Sequence, residues 1–272
     1  MGITTSYAST IEYIRFRWPS YLFGYGGLLA VLLICLVFSL DQGWTGLAYL
    51  AFACLLVVSY FLIASLWAVH RLFDGDSMIE EIFRQGNLSS DARIVTIDLG
   101  LKKIPAAAAR RLIRGRMTVI DVYNPQLSPS NWLSRAVRQT RRPEGDPRLE
   151  WKSGNIDLLP LPDSSVSAVL LVMTVSEFSQ EGDKELLLKE ISRLLIPEGS
   201  LLLVERVRTL THWLVLGPAA MRLPDAEYWR AFLSKCGYDV VKDKAHRDLA
   251  FIFIARQSGR LLSNHQLSLF KT

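Results

Sequence analysis

Two uncharged apolar runs set the strongest limit on how this chain folds. Tyr21 to Leu40 is a Leu/Val-rich stretch of about 20 residues, long enough to cross a bilayer as a helix. After the short turn Asp41-Gln42-Gly43-Trp44-Thr45-Gly46 comes a second such run, Leu47 to Val69. Trp18, Tyr21, Trp44 and Trp67 lie near the ends, where interfacial aromatics belong. A signal peptide has one shorter apolar segment followed by a small-residue cleavage site, which two adjacent runs do not match. Core helices of this length carry a polar face, and neither run has one. The expectation is a transmembrane helical hairpin over residues 1–72, with spans at about 21–40 and 47–69.

Charge gives the hairpin a direction. Arg15 and Arg17 precede the first run, Arg71 follows the second, and the turn between them holds Asp41 and neither Lys nor Arg. The positive-inside bias then puts both termini and everything after the hairpin on the cytoplasmic side. In the first 70 residues two Arg balance Glu12 and Asp41, so the net charge of +5 belongs to the remainder. Arg110, Arg111, Arg114, Arg116, Arg135, Arg138, Arg141 and Arg142 cluster within one third of the sequence. They read as a face for anionic headgroups or as ordinary solvated helix surface. No nucleic-acid motif accompanies them. Cys35 and Cys54 fall inside the apolar runs and Cys236 lies far away, so neither a disulfide nor a metal framework is expected.

Beyond the hairpin the pattern changes. A polar, partly helical connector (73–90) leads to a domain at 91–257, followed by a tail at 258–272. In the domain, short β-rich runs alternate with helical ones: strands at Arg93–Asp98, Met117–Asp121, Leu149–Trp151, Ala168–Thr174 and Ser200–Glu205. The helices are expected from Pro105 to near Gly115, over Asn131–Thr140, over Lys184–Leu195 and over Ala226–Cys236. Arg141–Pro147 reads as a loop. Leu187, Ile191, Leu194 and Leu195 form one stripe of the third helix. Tyr238–Val241 and Leu249–Ala255 look like a closing antiparallel pair. Such alternation predicts an α/β fold with a mostly parallel sheet covered by helices on both faces, and ligands at the carboxyl ends of its central strands.

Three segments then carry a resemblance. The first is Asp98-Leu-Gly100-Leu-Lys102-Lys-Ile104, followed by a helix and a strand ending in Asp121. The second is Gly154-Asn155-Ile156-Asp157-Leu-Leu-Pro-Leu-Pro-Asp163. The third is Leu188-Lys-Glu190-Ile-Ser-Arg193-Leu-Leu-Ile-Pro197-Glu-Gly199. Together, over about 91–257, they resemble the class I S-adenosylmethionine-dependent methyltransferases, in particular the small type 11 branch. The resemblance implies a Rossmann-like methyltransferase fold with a C-terminal antiparallel hairpin, here preceded by the membrane hairpin, and S-adenosylmethionine as cofactor.

It also implies roles. Asp98 and Gly100 open the cofactor loop, while Lys102 and Ile104 stand where the family has its second and third glycines. Glycine is used there because the backbone passes close to the ligand. Lys102 either meets the cofactor's carboxylate or, with Lys103, forms a solvent-facing turn. Asp121 aligns with the acid that holds the ribose diol, or merely caps a loop. Asn155, with Ile156 beside it, stands on the adenine side, where its amide replaces a carboxylate. Ser167 replaces the acid that opens the fourth strand. Ser176-Glu177 occupies the substrate mouth, where Glu177 is a candidate general base or a plain surface acid. The apolar stretch Thr209-Leu-Thr-His212-Trp213-Leu-Val-Leu-Gly217-Pro218 suits a lid, a contact with bilayer or partner, or core packing. His212 is a second candidate catalytic residue, with a structural role as the alternative.

A nicotinamide enzyme needs a Gly-x-Gly-x-x-Gly turn, which is absent, as are a phosphate loop and a Gly-x-Ser-x-Gly elbow. Two readings follow. One is a membrane-anchored methyltransferase acting on a lipophilic or membrane-associated acceptor. The other is a catalytically inactive relative serving as a structural or docking subunit beside a membrane-protein partner.

Overall fold

The computed structural model describes Ile11 and residues 14–73, 77–140 and 146–258. The start of the connector, the basic pair Arg141–Arg142 with most of its loop, and the tail beyond Ser258 lie outside the described residues. The chain forms two units: Met1–Gly75 with Arg208–Leu223, and Asp76–Val207 with Pro224–Thr272. The first therefore takes in a segment from far along the sequence, beyond the expected boundary at residue 72.

The first unit is built on a helical hairpin. A π-helical stretch Ser20–Gly26 continues into helix α1 (Gly27–Asp41), and helix α2 runs from Thr45 to Phe73. Gly43 makes the turn with φ of 68°, a left-handed backbone that glycine adopts without steric cost. Tyr21–Asp41 and Thr45–Leu72 are each long and apolar enough to cross a membrane, and only 6% and 11% of their most apolar windows are buried. Phe23, Ile34, Tyr49 and Ile63 are among the large apolar side chains that stand outward. A core helix would bury those positions. Helix α7 (Leu210–Leu216) and the 3-10 turn Gly217–Arg222 pack on α2 in this unit. At Gly217 a Cβ would come within 3.0 Å of the Phe61 ring.

The second unit holds one seven-stranded sheet in the order β3-β2-β1-β4-β5-β7-β6. β1 (Arg93–Asp98), β2 (Arg116–Asp121), β3 (Leu149–Ser153), β4 (Val166–Val172) and β5 (Leu195–Glu205) are parallel. β7 (Ala250–Gln257) pairs antiparallel with β5 and with β6 (Tyr238–His246). Ile94 through Asp98 of β1 are all buried, as the centre of a doubly covered sheet requires. At the edge, β6 is buried only at Tyr238 and His246 and carries Lys242, Asp243 and Lys244, charges that discourage a further strand from adding.

The helices follow the sequence pattern with one notable shortening. Helix α4 spans Lys103–Ala109 and stops well before Gly115. There the chain folds back instead: the amides of Ile113 and Gly115 both donate to the Ser90 carbonyl, and Leu112 is buried. Helix α3 (Ser77–Gln85) fills the connector, and α6 (Glu181–Leu194) buries Leu187, Leu188, Ile191 and Leu194. Helix α8 (Ala226–Lys235) is capped by Asp225, whose carboxylate accepts the Tyr228 amide at 2.8 Å. Arg193 locks α6 to the segment after β3, donating to the carbonyls of Leu159 and Leu161 and pairing with Glu190 and Asp163.

Candidate functional site

The parallel strands place two acids side by side, since Asp98 and Asp121 end β1 and β2 in register. Asp98 is buried and its Oδ2 accepts the Lys102 amide at 3.0 Å, which closes the turn Asp98–Lys102. Burial, with the Asp121 charge adding to it, pushes the Asp98 carboxyl up to about 6 despite the hydrogen bonds it accepts. Asp121 is half-buried and accepts the Tyr123 amide at 3.1 Å. The Gly154 amide donates to the Asp121 carbonyl, which draws the end of β3 to the same place. Asn155 follows there and is exposed, whereas the Ile156 side chain enters the hydrophobic core.

The loop after β1 is where the structure departs from an open cradle. Gly100 has φ of 81°, and a Cβ built on it would lie 2.9 and 3.1 Å from the two γ-carbons of Val137. Its open face is thus filled by protein. Val137 belongs to helix α5 (Asn131–Gln139), where Leu133 and Ala136 are fully buried. Lys102 adopts a left-handed backbone with φ of 60°, and its ammonium donates to the Thr140 carbonyl at 3.0 Å, at the carboxyl end of α5. A cation there also suits the helix dipole. Lys102 is therefore a tie within the protein rather than a solvent-facing turn residue. The side chain of Lys103 lies outside what is described.

Further ties hold α5 in place. The Tyr123 hydroxyl donates to Ser134 Oγ at 2.9 Å. Ser130 stands at the helix N-cap, but its hydroxyl donates to Glu177 Oε2 at 3.0 Å instead of capping the helix. The amide and hydroxyl of Ser179 both donate to the Leu127 carbonyl. Residues 122–140 are thereby tied to the loops that follow β1 and β4, at the end of the sheet where such a fold binds its ligands.

Glu177 lies in the 3-10 turn Val175–Glu177 after β4, at the mouth where the sequence puts it, yet engaged by Ser130. His212 is elsewhere, on α7 in the hairpin unit. It is buried, with Nδ1 3.0 Å from Thr209 Oγ1 and its amide on the same oxygen. The structure therefore does not group the two candidate catalytic residues in one unit, and His212 forms part of a helix cap. Ser167 sits at the opening of β4 and donates to the Arg93 carbonyl.

Sequence reasoning passed over Glu205. It ends β5, is fully buried, and its Oε1 accepts the amides of Val175 at 2.9 Å and Ser176 at 3.1 Å. Burial pushes its carboxyl up to about 7. It thereby fixes the turn that carries Glu177. An acid closing an apolar strand was the available signal.

Residues 97–203 match a family model described as a methyltransferase domain, a stretch shorter than half the chain. A solved S-adenosylmethionine-dependent methyltransferase from Aquifex aeolicus is 17% identical, with a TM-score of 0.51 over 65% of this chain and 88% of its own. The globular unit has the class I methyltransferase fold. The [4+2]-cyclase SpnF superimposes almost equally, at 17% identity and a TM-score of 0.50 over 67% of this chain and 80% of that one. The fold alone therefore leaves the reaction open. No curated protein matches the sequence.

S-adenosylmethionine is the cofactor this fold implies, and the two ends of the site differ in how they fit it. On the side the resemblance gives to adenosine, Asp121 ends β2 and Asn155 follows the end of β3. On the methionine side Val137 occupies the face of Gly100, and Lys102 is committed to Thr140. In the described conformation that half is taken up by contacts within the protein.

Proposed function

We propose that this chain is a membrane-tethered module of methyltransferase fold in which helix α5 stands in the place of the cofactor's methionine end. It then serves as a structural or docking subunit at the membrane rather than as a methyl-transfer enzyme. One observation carries the reading: the γ-carbons of Val137 lie 2.9 and 3.1 Å from where a Cβ on Gly100 would stand, so protein covers that face of the loop. A ligand that runs close along the Gly100 backbone needs that face open. Tethering is supported by two long apolar helices whose side chains are mostly uncovered. Confinement to a surface raises the local concentration of any partner in that surface, which is what a docking subunit gains.

A second reading keeps the enzyme: a membrane-anchored methyltransferase moving a methyl group from S-adenosylmethionine to a lipophilic acceptor. The placement of Asp121 and Asn155 and the family match over 97–203 favour it. It requires α5 to leave Gly100 before cofactor enters.

Calorimetry separates the two. S-adenosylmethionine is titrated into the full-length protein in lipid nanodiscs, and into the variant Lys102→Gly/Ile104→Gly/Val137→Gly. Binding by the opened variant alone, or by neither protein, is the expected result. Saturable binding by the native chain overturns the proposal and leaves the enzyme reading in its place.

A further inference from the structure

Helix α7 is amphipathic in the inverted sense. His212 and Val215 are buried, and Ala220 in the following turn is fully so. The outward positions are Leu210 (76% exposed), Trp213 (40%), Leu214 (54%) and Met221 (66%). A surface helix of a water-soluble protein turns its polar residues outward. This one presents leucine, tryptophan and methionine, with Arg208 and Arg222 bracketing the patch.

The patch is continuous with the hairpin. Gly217 packs against Phe61 of α2, eleven residues before the end of the apolar stretch at Leu72. Eleven residues of helix measure ~16 Å. The stretch Thr45–Leu72 is ~42 Å long, so when centred it overhangs a ~30 Å hydrocarbon core by ~6 Å at each end. Phe61, and the segment on it, then lie ~10 Å inside the cytoplasmic boundary, the depth of an interfacial helix. Arg15, Arg17 and Arg71 mark the cytoplasmic boundary itself. Such a level suits anionic headgroups.

We infer that Arg208–Arg222 is a third membrane-seated element: an excursion from the globular unit between β5 and α8 that embeds Leu210, Trp213, Leu214 and Met221 in the acyl region of the cytoplasmic leaflet. The occupant of the patch is lipid. The inference rests on the hairpin crossing the membrane, and its test keeps the two apart.

Single cysteines are placed at 210, 214 and 221, at 34 within α1 and at 241 on β6, after Cys35, Cys54 and Cys236 are replaced by alanine. Each full-length protein is spin-labelled in vesicles of phosphatidylcholine with phosphatidylglycerol. Oxygen, which partitions into lipid, is compared with a water-soluble nickel chelate as relaxing agent. The expected result is dominance of oxygen at 34, 210, 214 and 221, and reversal of that order at 241. If 34 reports lipid while 210, 214 and 221 report water, or are shielded from both agents, the third element is refuted and the anchor stands. If 34 itself reports water, the anchor fails and the inference with it.

Discussion

Replacing Gly100 by alanine asks the loop after β1 for space that Val137 occupies. The new methyl would sit 2.9 and 3.1 Å from the Val137 γ-carbons, inside the ~3.5–4.0 Å optimum for carbon pairs. The backbone adds to this, because φ at Gly100 is 81° and alanine there loses ~1 kcal/mol. Overpacking costs a further ~1–3 kcal/mol, so Gly100→Ala should destabilise by ~2–4 kcal/mol. Val137→Ala removes the two γ-carbons and opens room, at ~1 kcal/mol on its own. In the double variant the steric part disappears while the backbone part stays. The two substitutions should therefore be non-additive by ~1–2 kcal/mol. Thermal unfolding of the full-length protein in nanodiscs, followed by near-ultraviolet circular dichroism, reads this directly. At ~2–4 °C per kcal/mol for a domain of this size, Gly100→Ala should lower Tm by ~5–15 °C, and the double variant should regain part of the loss. If Gly100→Ala costs only the backbone part and adds independently to Val137→Ala, then Val137 does not sit on Gly100 and the cleft is open.

Three further outcomes follow from particular contacts. Asp98 and Glu205 have folded pKa values raised to about 6 and about 7, so the native state holds their protons more tightly than the unfolded chain. Stability should fall as pH rises from the ordinary carboxylate range through about 7; Glu205→Gln should flatten the upper part of that slope in a Tm-against-pH series, and an unchanged slope would contradict this. Arg193 spans two backbone carbonyls and two carboxylates, a reach that a lysine ammonium cannot reproduce. Arg193→Lys should cost ~2 kcal/mol in chemical denaturation, with faster proteolysis after β3. Gly217 has φ of 56° and an added Cβ would meet the Phe61 ring at 3.0 Å, so Gly217→Ala should weaken the seat of α7 and speed amide exchange over residues 210–216, leaving the sheet unchanged.

The sheet was legible because its causes are local. Ile94–Asp98 and Ala168–Val172 read as buried strands from apolar runs, α6 from the 3.6-residue stripe Leu187–Ile191–Leu194, and the pairing of Asp98 with Asp121 from their places at two strand ends. The plug was not. The stripe Leu133–Ala136–Val137 announces a helix with one buried face, but the same stripe would serve a helix lying along the sheet. Only tertiary partners bring it to the loops after β1 and β4: Gly100 beside Val137, Thr140 on Lys102, Ser130 on Glu177. A hint lay in the long, proline-bearing connection between Asp121 and Leu149. The end of α4 escaped for a similar reason, since the Ser90 carbonyl that captures Ile113 and Gly115 is remote in sequence. For Thr209–Pro218, apolarity alone could not choose between lid, lipid and core. Its packing against Phe61 assigns it to the hairpin unit.

Most direct is the contact between Val137 and Gly100 itself. With valine methyls and glycine α-carbons kept protonated in the otherwise deuterated full-length protein, a nuclear Overhauser effect should link the Val137 methyls to the Gly100 α-protons, and it should persist unshifted with S-adenosylmethionine in excess. Loss of that cross-peak as cofactor is added, with saturating shifts at Val137, would show the helix yielding its place to the ligand and would contradict the account.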